Sequence, residues 1–253
     1  MRLGWFIRGM PFSTFVKGLP FFLRDYYEIR KQAEQTKRDF PFGKFHPCLG
    51  ERYQESGIAS GHYFHQDLLV ANKVFKNSPR KHVDIGSRVD GFVAHVASFR
   101  ELEVLDIRKL TMDIQNIHFK QVDVMDKSLH LADYCDSVSC LHALEHFGLG
   151  RYGDRVDYHG HLVGWENIYR LLKKNGKFYF SVPMGEQRIE FNAHRVFSLR
   201  YLLALFDGRY KLDSFAYVDD EGHLFSNVQL KPQPVQDNFS CHYGCGIFEL
   251  SKI

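Results

Sequence analysis

The sequence predicts an α/β fold built on a mostly parallel sheet, and three observations carry that expectation. An apolar strand, a glycine turn and a helix follow one another through His82–Phe92 and lead to a second strand that ends in an acid, Asp106. Strand-like and helix-like stretches then alternate through the middle of the chain, which is the pattern of parallel strands joined by crossover helices. The tail adds two more strands, around Lys211–Val218 and Gly246–Leu250. Together they describe a Rossmann-like, seven-stranded, mostly parallel sheet with helices on both faces over residues 61–253. An N-terminal aromatic and basic helical extension over residues 1–60 precedes it.

Residues 1–40 mix Phe, Trp and Tyr with Lys and Arg, and Leu23–Arg38 has helical composition. Such a face can rest peripherally on a membrane surface. It can equally pack on its own domain or on a second copy, which would make it a homodimer interface. The apolar run at Met1–Arg8 is broken by Arg8, too short for a signal-peptide core or a transmembrane segment, so the expected location is cytoplasmic. Pro41–Pro47 reads as a loop, and Gly61–Asp67 leads into a helix through Leu68, Leu69, Ala71 and Val74.

The first strand and its turn come next. Gly86 admits close approach of a ligand to the backbone, and the helix from about Gly91 to Ser98 aims its amide dipoles back at that turn. Asp106 lies twenty residues beyond Gly86, where a carboxylate can accept both hydroxyls of a ribose. Ile117–Val124 is a third strand with Asp123 at its end, and Tyr134–Leu141 a fourth, small and apolar as a strand buried on both faces should be. Leu162–Lys174 is helical and stopped by Asn175-Gly176; Lys177–Pro183 is the fifth strand and Leu199–Phe206 a further helix.

Composition sets the outer bounds. With 33 Lys and Arg against 30 Asp and Glu, the net charge of +3 gives no reason to expect a nucleic-acid partner. Five Cys is an odd number without zinc-type pairing, so reduced thiols are the expectation. Glycines at 86 and 91 do not make G-x-G-x-x-G, which counts against a nicotinamide-dependent oxidoreductase. No Lys-Ser or Lys-Thr follows Gly91, which excludes a P-loop.

Several stretches together resemble the class I S-adenosylmethionine (SAM)-dependent methyltransferases over roughly residues 60 to 253. Asp84-Ile85-Gly86-Ser87 is similar to their cofactor turn, Asp106-Ile107 to the ribose acid and its neighbour, and Asp123-Val124 to the pair that brackets adenine. Leu141–Phe147 resembles the segment at the fourth strand, and Leu171–Lys177 the approach to the fifth. The resemblance implies SAM as cofactor and a lead-in helix over the ligand, with Tyr63, His65 and Gln66 near its amino-acid end; the alternative is that these aromatics are core. Gly61–Asp67, His82–Phe92 and Gly148–Asp154 also resemble a bacterial methyltransferase-like family of unknown function found with surface-polysaccharide genes. That implies methylation of a sugar hydroxyl on a nucleotide sugar or a capsule or lipopolysaccharide precursor.

His142-x-x-Glu145-His146 stands at the end of the fourth strand, where open α/β sheets place their chemistry. A helix starting near Ala143 would put the three side chains on one face, and His194 could approach from the loop after the fifth strand. His142, Glu145, His146 and His194 could then bind a divalent metal ion that lowers the pKa of an acceptor hydroxyl. Glu-x-x-Glu-His with a later His is similar to the metal site of small-RNA 2′-O-methyltransferases, but His142 replaces the first Glu. Without metal, His142 or His146 would be the general base; the third alternative is a purely structural turn. Gly148–Asp154 follows, a glycine-rich loop in which Arg151 could clamp a phosphate or carboxylate and Tyr152 stack on a sugar or base. The expectation is thus a SAM-dependent O-methyltransferase. A metal-assisted RNA or small-molecule O-methyltransferase and a non-catalytic partner subunit are the alternatives.

Overall fold

The structure is a computed structural model that describes residues 12–36, 39–129 and 131–253. The expectations for Met1–Arg8 and for the end of the first helix at Lys37 and Arg38 lie outside the described residues. The chain forms two compact units, residues 1–58 and 59–253.

In the first unit, helix α1 (Phe12–Gln35) carries Pro20 and buries none of its residues fully. Its aromatic side chains meet the segment that follows: Tyr26 lies 4.8 Å from Phe45, and the Arg52 guanidinium stands 4.7 Å over the Phe21 ring. Arg52 also donates to Asp25 at 2.8 Å. Among the described residues no helix is long and apolar enough to cross a membrane.

The second unit contains the sheet. Strands β1 (His82–Ile85), β2 (Leu102–Asp106), β3 (Ile117–Gln121), β4 (Cys135–Leu141) and β5 (Leu172–Met184) are parallel. A hairpin of β6 (Arg188–Glu190) and β7 (His194–Val196) stands apart from the sheet. The remaining strands are β8 (Tyr210–Val218), β9 (Leu224–Phe225) and β10 (Gly244–Lys252). The order is β3-β2-β1-β4-β5-β10-β8-β9, with β10 running antiparallel between β5 and β8. The seven predicted strands are all in this sheet, and β9 makes an eighth at its edge.

Period-two alternation fills both faces. Phe178 and Phe180 of β5 point to one side, where they meet Trp165 of α4 (Gly160–Leu171) and Phe206 of α5 (Leu199–Phe206). Trp165 stacks on Phe206 at 5.6 Å. Tyr179, between them in sequence, faces the other way, onto Val70 and Val74 of α2 (His62–Asn77) and Val96 of α3 (Ala94–Ala97).

Local boundaries depart from the sequence expectation: α1 starts at Phe12 rather than near Leu23, and β3 stops at Gln121 rather than Val124. Three further departures have a visible local form. The helix predicted to run to Lys174 ends at Leu171, and β5 begins at once. Leu171 and Leu172 are both fully buried, and the last helical carbonyls are taken by the amides of Asp133 and Tyr134. Burial and these outside donors therefore stop the helix before Asn175-Gly176 can. The helix predicted from Gly91 opens instead as a wide turn over Val89–Val93 that bends at Gly91, where a Cβ would approach the Asp67 carboxylate to 2.7 Å. The turn predicted to start a helix near Ala143 is a single 3-10 turn, Leu144–His146.

Candidate functional site

The sheet order reverses between β1 and β4, the place where open α/β sheets bind ligands beyond their strand ends. A cavity of about 250 Å³ opens there. Of the residues predicted to hold a cofactor, Tyr63, Gly86, Asp106, Ile107, Asp123, Val124 and Leu141 line it. Gln66 and Ser87 line an adjoining hollow that shares Tyr63, Arg88 and Leu141 with the cavity. Asp84 lines neither and is fully buried beneath the turn.

Asp84 builds the turn from below. Its carboxylate accepts from the Ser87 amide at 3.0 Å, the Ser87 hydroxyl at 2.8 Å and the Ser139 hydroxyl at 2.5 Å. Because Ser139 donates to Asp84, it accepts from His82 Nε2, 3.2 Å away. Burial raises the Asp84 pKa to about 7 against those three donors, and the same burial lowers His82 to about 3. Gly86 tops the turn at φ +73°, donates to the Leu105 carbonyl, and sits so near Ala143 that a Cβ would come within 2.9 Å of that side chain. Any side chain at Gly86 would thus be strained and would narrow the cleft.

Asp106, at the end of β2, already has a partner the sequence did not suggest. Arg108 bonds both its carboxylate oxygens, with Nε 3.0 Å from Oδ1, and reaches the Gly86 carbonyl at 3.2 Å. The guanidinium also lies 4.7 Å over the Tyr152 ring. Arg108 therefore spans the cleft, and a ribose diol must compete with it for Asp106. Asp123, at the next strand end, accepts from the Met125 amide at 2.8 Å, which shapes the turn that carries Val124 and Met125 into the wall.

The predicted catalytic trio does come together. His142, just past β4, sits at φ +49° and donates Nδ1–H to Glu145 Oε1 at 2.8 Å; His146 Nε2 lies 3.7 Å from the same oxygen. Burial opposes charge on His142, but Cys245 and Glu145 more than offset it and hold the pKa well above the usual histidine range. Burial would raise Glu145, yet His142 and then His146 bring it down. His146 is different: burial lowers it, and Nδ1–H donates to the Ala193 carbonyl at 2.7 Å. Its Nε2 is left with a lone pair, and the residue lines the cavity. His146 is the side chain of the trio equipped to take a proton; Glu145 does not line the cavity.

Arg195 holds this turn in place, and sequence reasoning missed it. Buried at 4% exposure, it donates to the carbonyls of Phe147 at 2.6 Å and Tyr158 at 3.1 Å. The glycine-rich loop behind it is organised by Asp154, whose carboxylate accepts from the amides of Gly148, Gly150 and Tyr152. Arg151 and Tyr152 line the cavity, and Arg151 shares the Ala193 carbonyl with His146. His194 does not line the cavity. It pairs with Glu190 across the β6–β7 hairpin at 3.0 Å and packs on Tyr243. The four predicted metal ligands thus do not converge. Among the described residues, the ligand atoms that do converge belong to His62, His142 and Cys245.

The second unit has the Rossmann-like fold of class I methyltransferases. It is similar to 1,6-didemethyltoxoflavin-N1-methyltransferase of Burkholderia thailandensis, with a TM-score of 0.52 and 15% identity over 74% of this chain and 78% of that one. It is also similar to the N-methyltransferase NodS of Bradyrhizobium japonicum WM9, at 0.52 and 10% over 77% and 99%. The [4+2]-cyclase SpnF matches at 0.51 and 13% over 74% and 80%. These likenesses define the fold, which carries more than one kind of reaction. The chain belongs to the family described as "Caenorhabditis protein of unknown function, DUF268", which matches residues 92–240. No curated protein matches the sequence.

Proposed function

We propose that the chain is a SAM-dependent O-methyltransferase whose acceptor is a sugar hydroxyl on a nucleotide sugar or a surface-glycan precursor. The observation that carries this reading is the composition of one cleft: a glycine turn and two strand-end acids on one side, a neutral histidine on the other. Gly86, Asp106 and Asp123, with the apolar surface of Ile107 and Val124, fit a nucleoside, and Tyr63, Gln66 and Ser87 fit its amino-acid end. When bound, the cofactor supplies an electrophilic methyl group on a sulfonium.

The rest is work for this chain's own side chains. His146 Nε2 takes the proton of the acceptor hydroxyl as the carbon–oxygen bond forms and the carbon–sulfur bond breaks, leaving a neutral thioether. Arg151 pairs with a phosphate or carboxylate on the acceptor, and Tyr152 covers a sugar or base face. A cytoplasmic setting goes with this reading.

The test is transfer of labelled methyl from SAM to a panel of nucleotide sugars by the full chain. The reading expects label at a sugar oxygen, lost in His146→Ala. Transfer to nitrogen, or no transfer to any nucleotide sugar by a chain that binds S-adenosylhomocysteine, would overturn the acceptor assignment.

A further inference from the structure

We propose that His62, His142 and Cys245 form a binding site for a thiophilic divalent cation, with zinc as the first candidate. His62 opens α2, His142 follows β4, and Cys245 is the second residue of β10, set between Pro183 of β5 and Val218 of β8. One donor atom from each lies within 4.8 Å of the other two. Nitrogen and sulfur ligands of one tetrahedral zinc stand roughly 3.3–3.8 Å apart. A closure of about an ångström, within the reach of side-chain rotation, would complete three of four positions.

Independent observations point to a ligand there. His142 Nε2 is buried in a side chain only 3% exposed, with no hydrogen-bond partner other than the Cys245 thiol. Its Nδ1–H is fixed on Glu145, the carboxylate–histidine arrangement that orients a metal-binding imidazole and raises its basicity. His62 packs on the Tyr243 ring at 5.4 Å. The donor set of two imidazoles and a thiol matches zinc and other soft divalent ions rather than magnesium or calcium.

The rings of His62 and His142 stack 5.2 Å apart at 11°. His62, the more exposed of the two, must turn for both to address one ion. A cysteine nucleophile with His142 as its base would leave His62 without a role and would require access to a sulfur that is 0% exposed. His142 also lines the cleft, so the open fourth position adjoins the acceptor side, where an ion can lower the pKa of a bound hydroxyl. That role rests on the methyl-transfer reading; the binding of the ion does not.

The experiment is a titration of the full chain, stripped with a chelator, with cobalt(II) and then zinc. The expected result is one equivalent of cobalt with a near-ultraviolet thiolate-to-cobalt band that zinc displaces. Cys245→Ser should abolish the band and weaken zinc by about 100-fold or more. His62→Ala, at a half-exposed position, is the second ligand variant and should weaken zinc comparably. Glu145→Gln, a change at a positioning residue, should weaken zinc about 10–100-fold while keeping the band. Cys241→Ser should change neither. Absence of stoichiometric cobalt binding, or a band that survives Cys245→Ser in a chain with native circular dichroism, would overturn the site. An intact cobalt site in a chain that fails to bind S-adenosylhomocysteine would overturn the methyl-transfer reading alone.

Discussion

The two walls of the cleft are built by different means. On the cofactor side, Asp106 and Asp123 stand at or just past the ends of successive strands, with Asp84 of the preceding strand buried beneath the turn. Opposite it, His142, His146 and Arg151 line the cleft, and His62, Ala193 and Cys245 adjoin them; all come from widely separated stretches, tied by single contacts such as the Ala193 carbonyl that His146 and Arg151 share. The first wall is a repeated strand–turn device, and its residues follow from their position on a strand. The second depends on which strand lies beside which, above all on β10 inserting antiparallel next to β5.

That contrast predicts a division of labour that substitution can break. The largest effect belongs to His146→Ala, which should lower turnover by about 10²–10⁴-fold and leave S-adenosylhomocysteine affinity unchanged. Equal loss of affinity and turnover would erase the distinction between the walls. Next is Asp106→Ala, which removes a charged acceptor worth about 1.5–3 kcal/mol and should weaken S-adenosylhomocysteine roughly 10–100-fold. The melting temperature should be retained, as calorimetry and thermal melts on the same sample will show. Smaller and opposite in sign is Arg108→Ala. Freeing Asp106 from its ion pair should tighten the same ligand by about 2–5-fold, the scale of an ion pair that is partly solvent-exposed. Weaker binding would make Arg108 a direct ligand of the cofactor instead.

The smallest effect concerns stability against pH. His82 and His161 are neutral and buried, with pKa values lowered to about 3 and about 4, chiefly by desolvation. The unfolded chain binds protons there that the folded chain does not, so their contribution is full above about pH 6.5 and fades as pH falls toward 4. Asp84 works in the other sense, since its folded pKa of about 7 means that the folded chain holds a proton the unfolded chain has lost. His62, lowered to about 4 by desolvation, joins the two histidines, and Asp67, raised by burial, joins Asp84; the three histidines leave a net loss on acidification. The melting temperature should therefore fall steadily from about pH 6.5 to about pH 4; a rise would assign the dominant role to Asp84.

What the sequence could reveal follows the same line. Gly86, Asp106, Ile107, Asp123, Val124 and Leu141 were legible because strand period and turn chemistry are local, and all of them line the cleft. Arg108 was hidden although it is only two residues from Asp106, because sequence spacing does not say that its side chain folds back over the carboxylate. Cys245 was hidden for another reason. A lone thiol in the last strand gains meaning only when the sheet order sets it against His142. His194 failed in the reverse direction: proximity to the fifth strand suggested convergence, but the β6–β7 hairpin turns it toward Glu190. Arg195, its neighbour, was the residue that mattered to the histidine turn.

The cofactor wall is proposed to bind a SAM-type nucleoside. Calorimetric titration of the full chain with S-adenosylhomocysteine tests it most directly. Saturable binding at micromolar concentration is expected, weakened roughly 10–100-fold in Asp106→Ala and kept in His146→Ala. Absence of heat and of competition with SAM in the folded chain would contradict it.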